Sequence, residues 1–84
     1  MRWNEIKRRY PTDFILLDDI EEEKVDDNKY RVLGGTVVEI SKDIKQIMRL
    51  YNELKQQGRN VLYTLPSTPD DFIIEDVPFM GILR

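Results

Sequence analysis

The stretch from Tyr30 to Leu54 decides the fold, because a strand pattern changes into a helical one inside it: YRVLGGTVVEISKDIKQIMRLYNEL. Between Tyr30 and Ile40, apolar residues occupy both alternating sets of positions, so a strand here would present apolar side chains on two faces. Gly34-Gly35 interrupts this run and predicts a bulge or a bend. It does not predict a phosphate loop, because neither glycine-rich nucleotide-binding spacing is present.

The second half of the stretch predicts an amphipathic helix. Apolar residues recur there at the spacing of one helical face: Ile44, Ile47, Met48, Tyr51 and Leu54. Ser41 is the predicted N-cap, and Gly58 is expected in the left-handed position after the helix. We therefore predict a helix over 42–57.

A second strand is predicted upstream of this stretch, where Phe14-Ile15-Leu16-Leu17 forms the longest apolar run. We expect it to continue as far as Ile20 or Val25. The charged segment from Glu21 to Lys29 is expected to be a hairpin loop that turns at Asp26-Asp27-Asn28. Downstream, 61–65 predicts a return strand and 72–74 a short fourth strand.

The chain opens with a short helical stripe of Trp3, Ile6 and Tyr10, which Pro11 ends. With 84 residues the chain is expected to form a single small domain over 1–84, with an apolar tail at 79–84. The predicted fold is α+β: an antiparallel three- to four-stranded sheet, made of a long hairpin plus a return strand. One long amphipathic helix covers one face of this sheet, and a short N-terminal helix is the remaining element.

The two faces of this sheet pose a packing problem. If Tyr30, Val32, Val38 and Ile40 face the long helix, Leu33 and Val37 point away from it, and Ile15 and Leu17 lie opposite Phe14 and Leu16. One helix cannot cover both faces. Either the Trp3 helix and the tail cover the second face, or another chain does.

Composition excludes much chemistry. The chain has no histidine and no cysteine, which removes imidazole bases, thiolates, disulfides and zinc sites of the usual type. Sixteen acids against thirteen bases give a net charge of −3, so there is no global attraction for phosphate. No signal peptide and no membrane-spanning run are visible, so we expect a cytoplasmic protein.

The acidic clusters predict solvated charge and not a reaction centre. Asp18-Asp19 and Asp70-Asp71 are adjacent pairs, and neighbouring residues on a strand point to opposite faces. The acidic hairpin 18–27 lacks the spacing of a calcium loop, which leaves its cation binding open. We expect no enzyme, no cofactor, no metal site and no small-molecule substrate.

Trp3-x-x-Ile6-x-x-x-Tyr10-Pro11, followed by Phe14-Ile15-Leu16-Leu17, resembles the opening of a family of small uncharacterised prokaryotic proteins. Their signature is W-x-x-I-x-x-x-Y-P-x-x-W/F followed by apolar residues, and this chain has Phe14 where the pattern has tryptophan. Some members are encoded beside a retropepsin-like aspartic protease. The resemblance implies a partner or a regulator and supplies no catalytic residues.

These observations favour a small accessory protein that acts as a non-catalytic protein-interaction module, whose partner is another protein or a second copy of the chain. The predicted partner-binding residues are apolar: Leu33, Val37, Phe79, Met80, Ile82 and Leu83. The alternative is a nucleic-acid-associated regulator that uses the basic face of helix 42–57, with Lys45, Arg49 and Arg59, although the acidic clusters make nucleic acid a weaker expectation.

Overall fold

Two long strands form the centre of the fold. The computed structural model describes residues 1–75. Its elements in chain order are α1 (Trp3–Arg9), β1 (Phe14–Asp26), β2 (Lys29–Ser41), α2 (Ile44–Gln56), β3 (Leu62–Thr64) and β4 (Ile73–Glu75). The strands form one antiparallel sheet in the order β3-β1-β2-β4. The predicted α+β architecture is confirmed, although α2, at 13 residues, is not a long helix.

The central hairpin extends through the charged segment that the sequence suggested was a loop. β1 remains paired with β2 as far as Asp26, and only Asp27 and Asn28 form the turn. The backbone of Glu22 pairs opposite Val32, and that of Glu23 opposite Arg31. Their side chains are exposed, so the backbone joins the sheet while the carboxylates stay in water. High charge therefore did not prevent a strand here.

Each face of the sheet carries its own apolar cluster. The α1 cluster contains Trp3, Ile6, Ile15 and Leu17. The α2 cluster contains Leu16, Ile47 and Val61. Phe14 packs against the α2 cluster, so the predicted separation of Ile15 and Leu17 from Phe14 and Leu16 is confirmed.

The opening helix covers the face that α2 leaves open. Trp3 is 3% exposed and Ile6 is fully buried, and the Trp3 ring lies 5.2 Å from that of Phe72. The sequence left open whether the Trp3 helix and the tail or another chain covers this face. In the structure the Trp3 helix covers it. The tail at 79–84 lies outside the described residues.

The segment between β3 and β4 crosses the molecule, because these two strands occupy opposite edges of the sheet. Residues of α1 hold it. The indole Nε1 of Trp3 donates to the carbonyl of Pro69 at 3.0 Å, and the ammonium of Lys7 donates to the carbonyl of Thr68. Among residues 1–75, neither helix has the length and apolar character needed to cross a membrane.

The ends of α2 differ in part from prediction. Asp43, not Ser41, is the N-cap, and its carboxylate accepts the Lys45 N–H at 3.0 Å. Ser41 acts one step earlier, since its hydroxyl oxygen accepts the Asp43 N–H at 2.9 Å. At the other end Gly58 has φ +82°, as its predicted left-handed position requires.

Candidate interaction surface

The outer edge of β2 is the side that faces away from β1, and its first half is covered. β4 pairs with Lys29 to Arg31, and the Val32 N–H donates to the Phe72 carbonyl at 2.9 Å. Met1 continues this cover. Its amino group donates to the Gly35 carbonyl, and the Gly35 N–H donates to the Met1 carbonyl, both at 2.9 Å.

The Gly34-Gly35 pair makes this cover possible. A Cβ on Gly34 would lie 2.1 Å from the carbonyl oxygen of Met1, and one on Gly35 would lie 2.8 Å from the carbonyl oxygen of Asp18. Any larger residue would push the backbone apart on one side of β2 or the other. The two glycines therefore allow close backbone approach on both sides, which explains their place in the middle of a strand.

The second half of the β2 edge is free. Within residues 1–75, no strand pairs with the outer side of β2 beyond Gly35. Val38 is 41% exposed and Ile40 is 37% exposed along this part. We call residues 36–41 the free edge.

A bulge divides the free edge. Leu16 lies opposite Glu39 and Leu17 lies opposite Val37, so Val38 is the extra residue. From Glu39 to Ser41 the pairing with β1 is regular, with Ile40 directly opposite Ile15. Cross-strand partners point to the same face, so Ile40 lies on the α1 side. The sequence premise that Ile40 faces the long helix is wrong, because the bulge shifts the alternation by one residue.

The single charge on the free edge is turned towards α2. The carboxylate of Glu39 accepts a hydrogen bond from the side-chain amide of Gln46 at 2.8 Å. α2 itself contacts β2, β1 and β3, so it runs inward from this edge and away from it. In the part of the chain that the structure describes, the free edge thus has α2 behind it on one face and no carboxylate of its own directed along its outer side.

The opposite edge of the hairpin has a different character. β3 pairs only with Ile15 to Leu17, so the outer side of β1 beyond Leu17 is also without a partner strand in the part of the chain that the structure describes. Exposed carboxylates line it: Asp19, Glu21, Glu22, Glu23 and Asp26. Charged side chains on an edge oppose the approach of another strand.

Asp18, at the start of this acidic segment, is the one buried acid among residues 1–75. It is 5% exposed, and its carboxylate accepts the backbone N–H of Asp19 at 2.8 Å and pairs with the guanidinium of Arg59. The Asp19 N–H and the Arg59 partner hold the pKa of Asp18 below its ordinary value against the opposing effect of burial. The backbone turns sharply here, since Asp19 has φ +48°.

The structure does not bring the predicted partner-binding residues together. Leu33 is 36% exposed, whereas Val37 is half-buried against the α1 cluster. The four predicted residues of the tail lie outside the described residues: Phe79, Met80, Ile82 and Leu83. Sequence reasoning missed Val38 and Ile40 as the exposed pair, because the bulge at Val38 depends on the pairing of β2 with β1.

The basic face of the alternative function is incomplete. Arg59 is engaged by Asp18, while Lys45 and Arg49 remain exposed on α2. Arg49 borders an open depression of about 270 Å³ that Asp43 also lines, so opposite charges share it. No concentrated basic stripe of the kind that phosphate binding needs is formed by these groups within residues 1–75.

The larger concave regions are open and of mixed charge. A depression of about 580 Å³ is lined by Lys7 and Arg8 together with Asp70. Within residues 1–75, no three acidic side chains converge in a way that would hold a metal ion. These regions present no arrangement of nucleophile, base and oxyanion donors.

Comparison with known proteins adds no relative: no family model matches the chain, and neither a curated protein nor a solved structure is found to be similar. The resemblance to small prokaryotic proteins therefore stays a prediction.

Proposed function

We propose that the protein is a non-catalytic interaction module that binds a polypeptide by accepting its strand at the free edge of β2. One observation carries the proposal. A strand edge without a partner in residues 1–75 lies beside two exposed β-branched side chains, Val38 and Ile40. The function is interaction and not catalysis, since the free edge offers hydrogen-bonding and apolar groups.

Strand addition uses both kinds of group. The added strand forms main-chain hydrogen bonds with the edge, while alternate side chains contact the neighbouring strand. Burial of exposed apolar surface contributes about 25 cal/mol per Å². Val38 and Ile40 supply such surface at the edge, and partner strands rich in β-branched residues pair best with it.

The other edges are poorer acceptors. β3 and β4 each span three residues, which offers few hydrogen bonds to an added strand. The outer side of β1 carries five exposed carboxylates between Asp19 and Asp26. Short edges, charged edges and β-bulges all oppose further pairing. The free edge of β2 has a bulge at Val38 and one charge, on Glu39, but it is longer than β3 or β4 and less charged than the outer side of β1.

Photo-crosslinking in the native cell tests the proposal. Ile40→p-benzoylphenylalanine places a photoreactive group on the free edge, and Val25→p-benzoylphenylalanine is the matched control, because Val25 is 44% exposed at the far end of the same hairpin. We expect a discrete polypeptide adduct from position 40 that position 25 does not give.

The adduct must also depend on the free edge. A Val37→Pro change in the crosslinking variant removes the backbone N–H two residues after that of Gly35, on the outer side of β2, and we expect it to weaken the adduct. Circular dichroism shows whether that variant is folded. Equal crosslinking at positions 40 and 25, or none at either, would overturn the proposed function.

A further inference from the structure

We infer that the strand accepted at the free edge is the free edge of a second copy of this chain, so that two molecules form one continuous eight-stranded antiparallel sheet. This inference rests on the proposed function and names its partner. The register of β2, the cover at Gly35 and the position of Glu39 carry it.

Symmetry limits how two free edges meet. Antiparallel pairing of one strand with its own copy is generated by a twofold axis perpendicular to the sheet. Such an axis passes between two copies of the same residue, which then lie directly opposite each other. Their side chains point to the same face of the sheet. Four centres lie inside the free edge: Val37, Val38, Glu39 and Ile40.

Three of these centres are disfavoured. An axis at Val37 brings Glu39 of the copy opposite Gly35, whose outer hydrogen bonds Met1 already occupies. An axis at Glu39 places its carboxylate directly opposite the same carboxylate of the copy, which is destabilising. An axis at Val38 lies on the bulge and brings Ser41 of the copy opposite Gly35, whose outer hydrogen bonds Met1 already occupies.

An axis at Ile40 meets neither obstacle. The regular part of the free edge, Glu39 to Ser41, is symmetric about Ile40. Ile40 then faces its own copy, Glu39 lies opposite Ser41, and Val38 lies opposite Lys42. No two like charges are directly opposed, and the exposed apolar surface of Ile40 is buried from both sides.

The assembly closes at two copies. Each free edge is paired with the other, and the remaining outer edges are the three-residue β3 and β4 and the acidic part of β1. The paired segment is short compared with a standard interface of about 800 Å² per partner, so we expect a dissociation constant on the order of 10–100 µM.

The absence of cysteine gives a direct test of this register. Ile40→Cys places two thiols at directly opposite positions, where Cα atoms are about 4.5–5.5 Å apart and a disulfide fits. Val38→Cys places its thiol opposite Lys42 of the copy. Under mild oxidation at about 200 µM protein, which is above the expected dissociation constant, we expect dimer formation at least ~10-fold faster for Ile40→Cys than for Val38→Cys or for the control Val25→Cys.

Sedimentation equilibrium tests the same inference without a new thiol. The apparent molecular mass of the unaltered chain should rise with protein concentration from 10.0 kDa, the mass of one copy, towards twice that value. Ile40→Lys should remain monomeric because it opposes two ammonium groups, and Val25→Lys should behave as the unaltered chain does.

The outcomes separate the two proposals. A monomer at all concentrations, or equal oxidation of the three thiol variants, overturns the second copy as the partner. If the photo-crosslink at position 40 then contains a different protein, the proposed function stands without the dimer. If no crosslink forms, both are wrong.

Discussion

Gly34→Ala is the substitution that the structure predicts most sharply. The new Cβ would lie 2.1 Å from the Met1 carbonyl oxygen and 2.9 Å from the Arg2 Cα, and both are backbone atoms that cannot rotate away. Ordinary contact begins near 3.4 Å. The residues that precede α1 must therefore move by roughly 1 Å or more, a shift that well-packed interiors resist.

The cost follows from what this movement disrupts. Met1 and Gly35 exchange two hydrogen bonds of 2.9 Å, each worth about 0.5–1.5 kcal/mol net. Trp3 lies two residues after Met1 and is 3% exposed, so a partial loss of its packing adds about 1 kcal/mol. We expect Gly34→Ala to lower the free energy of unfolding by about 2–4 kcal/mol.

Urea unfolding measures this change, and the single tryptophan reports where it occurs. The emission of Trp3 in Gly34→Ala should shift to the red before the main transition. Gly58→Ala is the matched control, because its Cβ meets nothing within 4 Å and its φ of +82° costs about 1–2 kcal/mol without touching Trp3. A Gly34→Ala protein with unchanged stability and unchanged Trp3 emission would refute the reasoning.

Two further predictions concern buried polar groups. The pKa of Asp18 is lowered by folding, so its ionised form contributes stability above the unfolded pKa of about 3.9, and this contribution is lost as the pH falls through the lower folded value. Asp18→Asn should therefore lose less stability between pH 5 and about pH 2.5 than the unaltered chain does in urea unfolding, and identical pH dependence would contradict the assignment. Thr64 is 1% exposed, and its hydroxyl has no hydrogen-bond partner among residues 1–75. Thr64→Val should raise the free energy of unfolding by about 1 kcal/mol, because an apolar group of similar shape replaces an unsatisfied one; a thermal melt that shows a loss, with Thr64→Ser unchanged, would contradict this.

The helices were predictable because their signals are local. The spacing of Ile44, Ile47 and Tyr51 matches one helical face, and the same face packs in the α2 cluster. The N-cap was misplaced by two residues because Ser41 and Asp43 are both good caps. Asp43 is the N-cap in the structure, and the hydroxyl oxygen of Ser41 accepts a hydrogen bond from the Asp43 N–H.

The strand faces were not predictable from alternation alone. Period-two alternation holds only while the pairing is regular, and one extra residue at Val38 reverses the assignment of every later position. Ile40 was therefore placed on the α2 side, although it lies opposite Ile15 on the α1 side. A bulge depends on the partner strand, so the local sequence only hints at it.

The free edge itself was beyond sequence reasoning for a different reason. Which part of β2 has a neighbour depends on where Met1 and β4 attach, and these contacts join residues more than 30 positions apart. The sequence analysis placed most of the partner-binding residues in the tail at 79–84, because the apolar residues there are nearly contiguous. Exposure at Val38 and Ile40 becomes visible only when the order of the strands is known.

The strand order also bears on how the chain assembles during synthesis. The two innermost strands are the first to leave the ribosome, and both helices have emerged by Gln56. A nascent chain of that length already holds the hairpin and most of both apolar layers, so we expect it to condense before the outermost strands arrive. Those strands then add at either flank, and growth proceeds from the middle of the sheet to its margins.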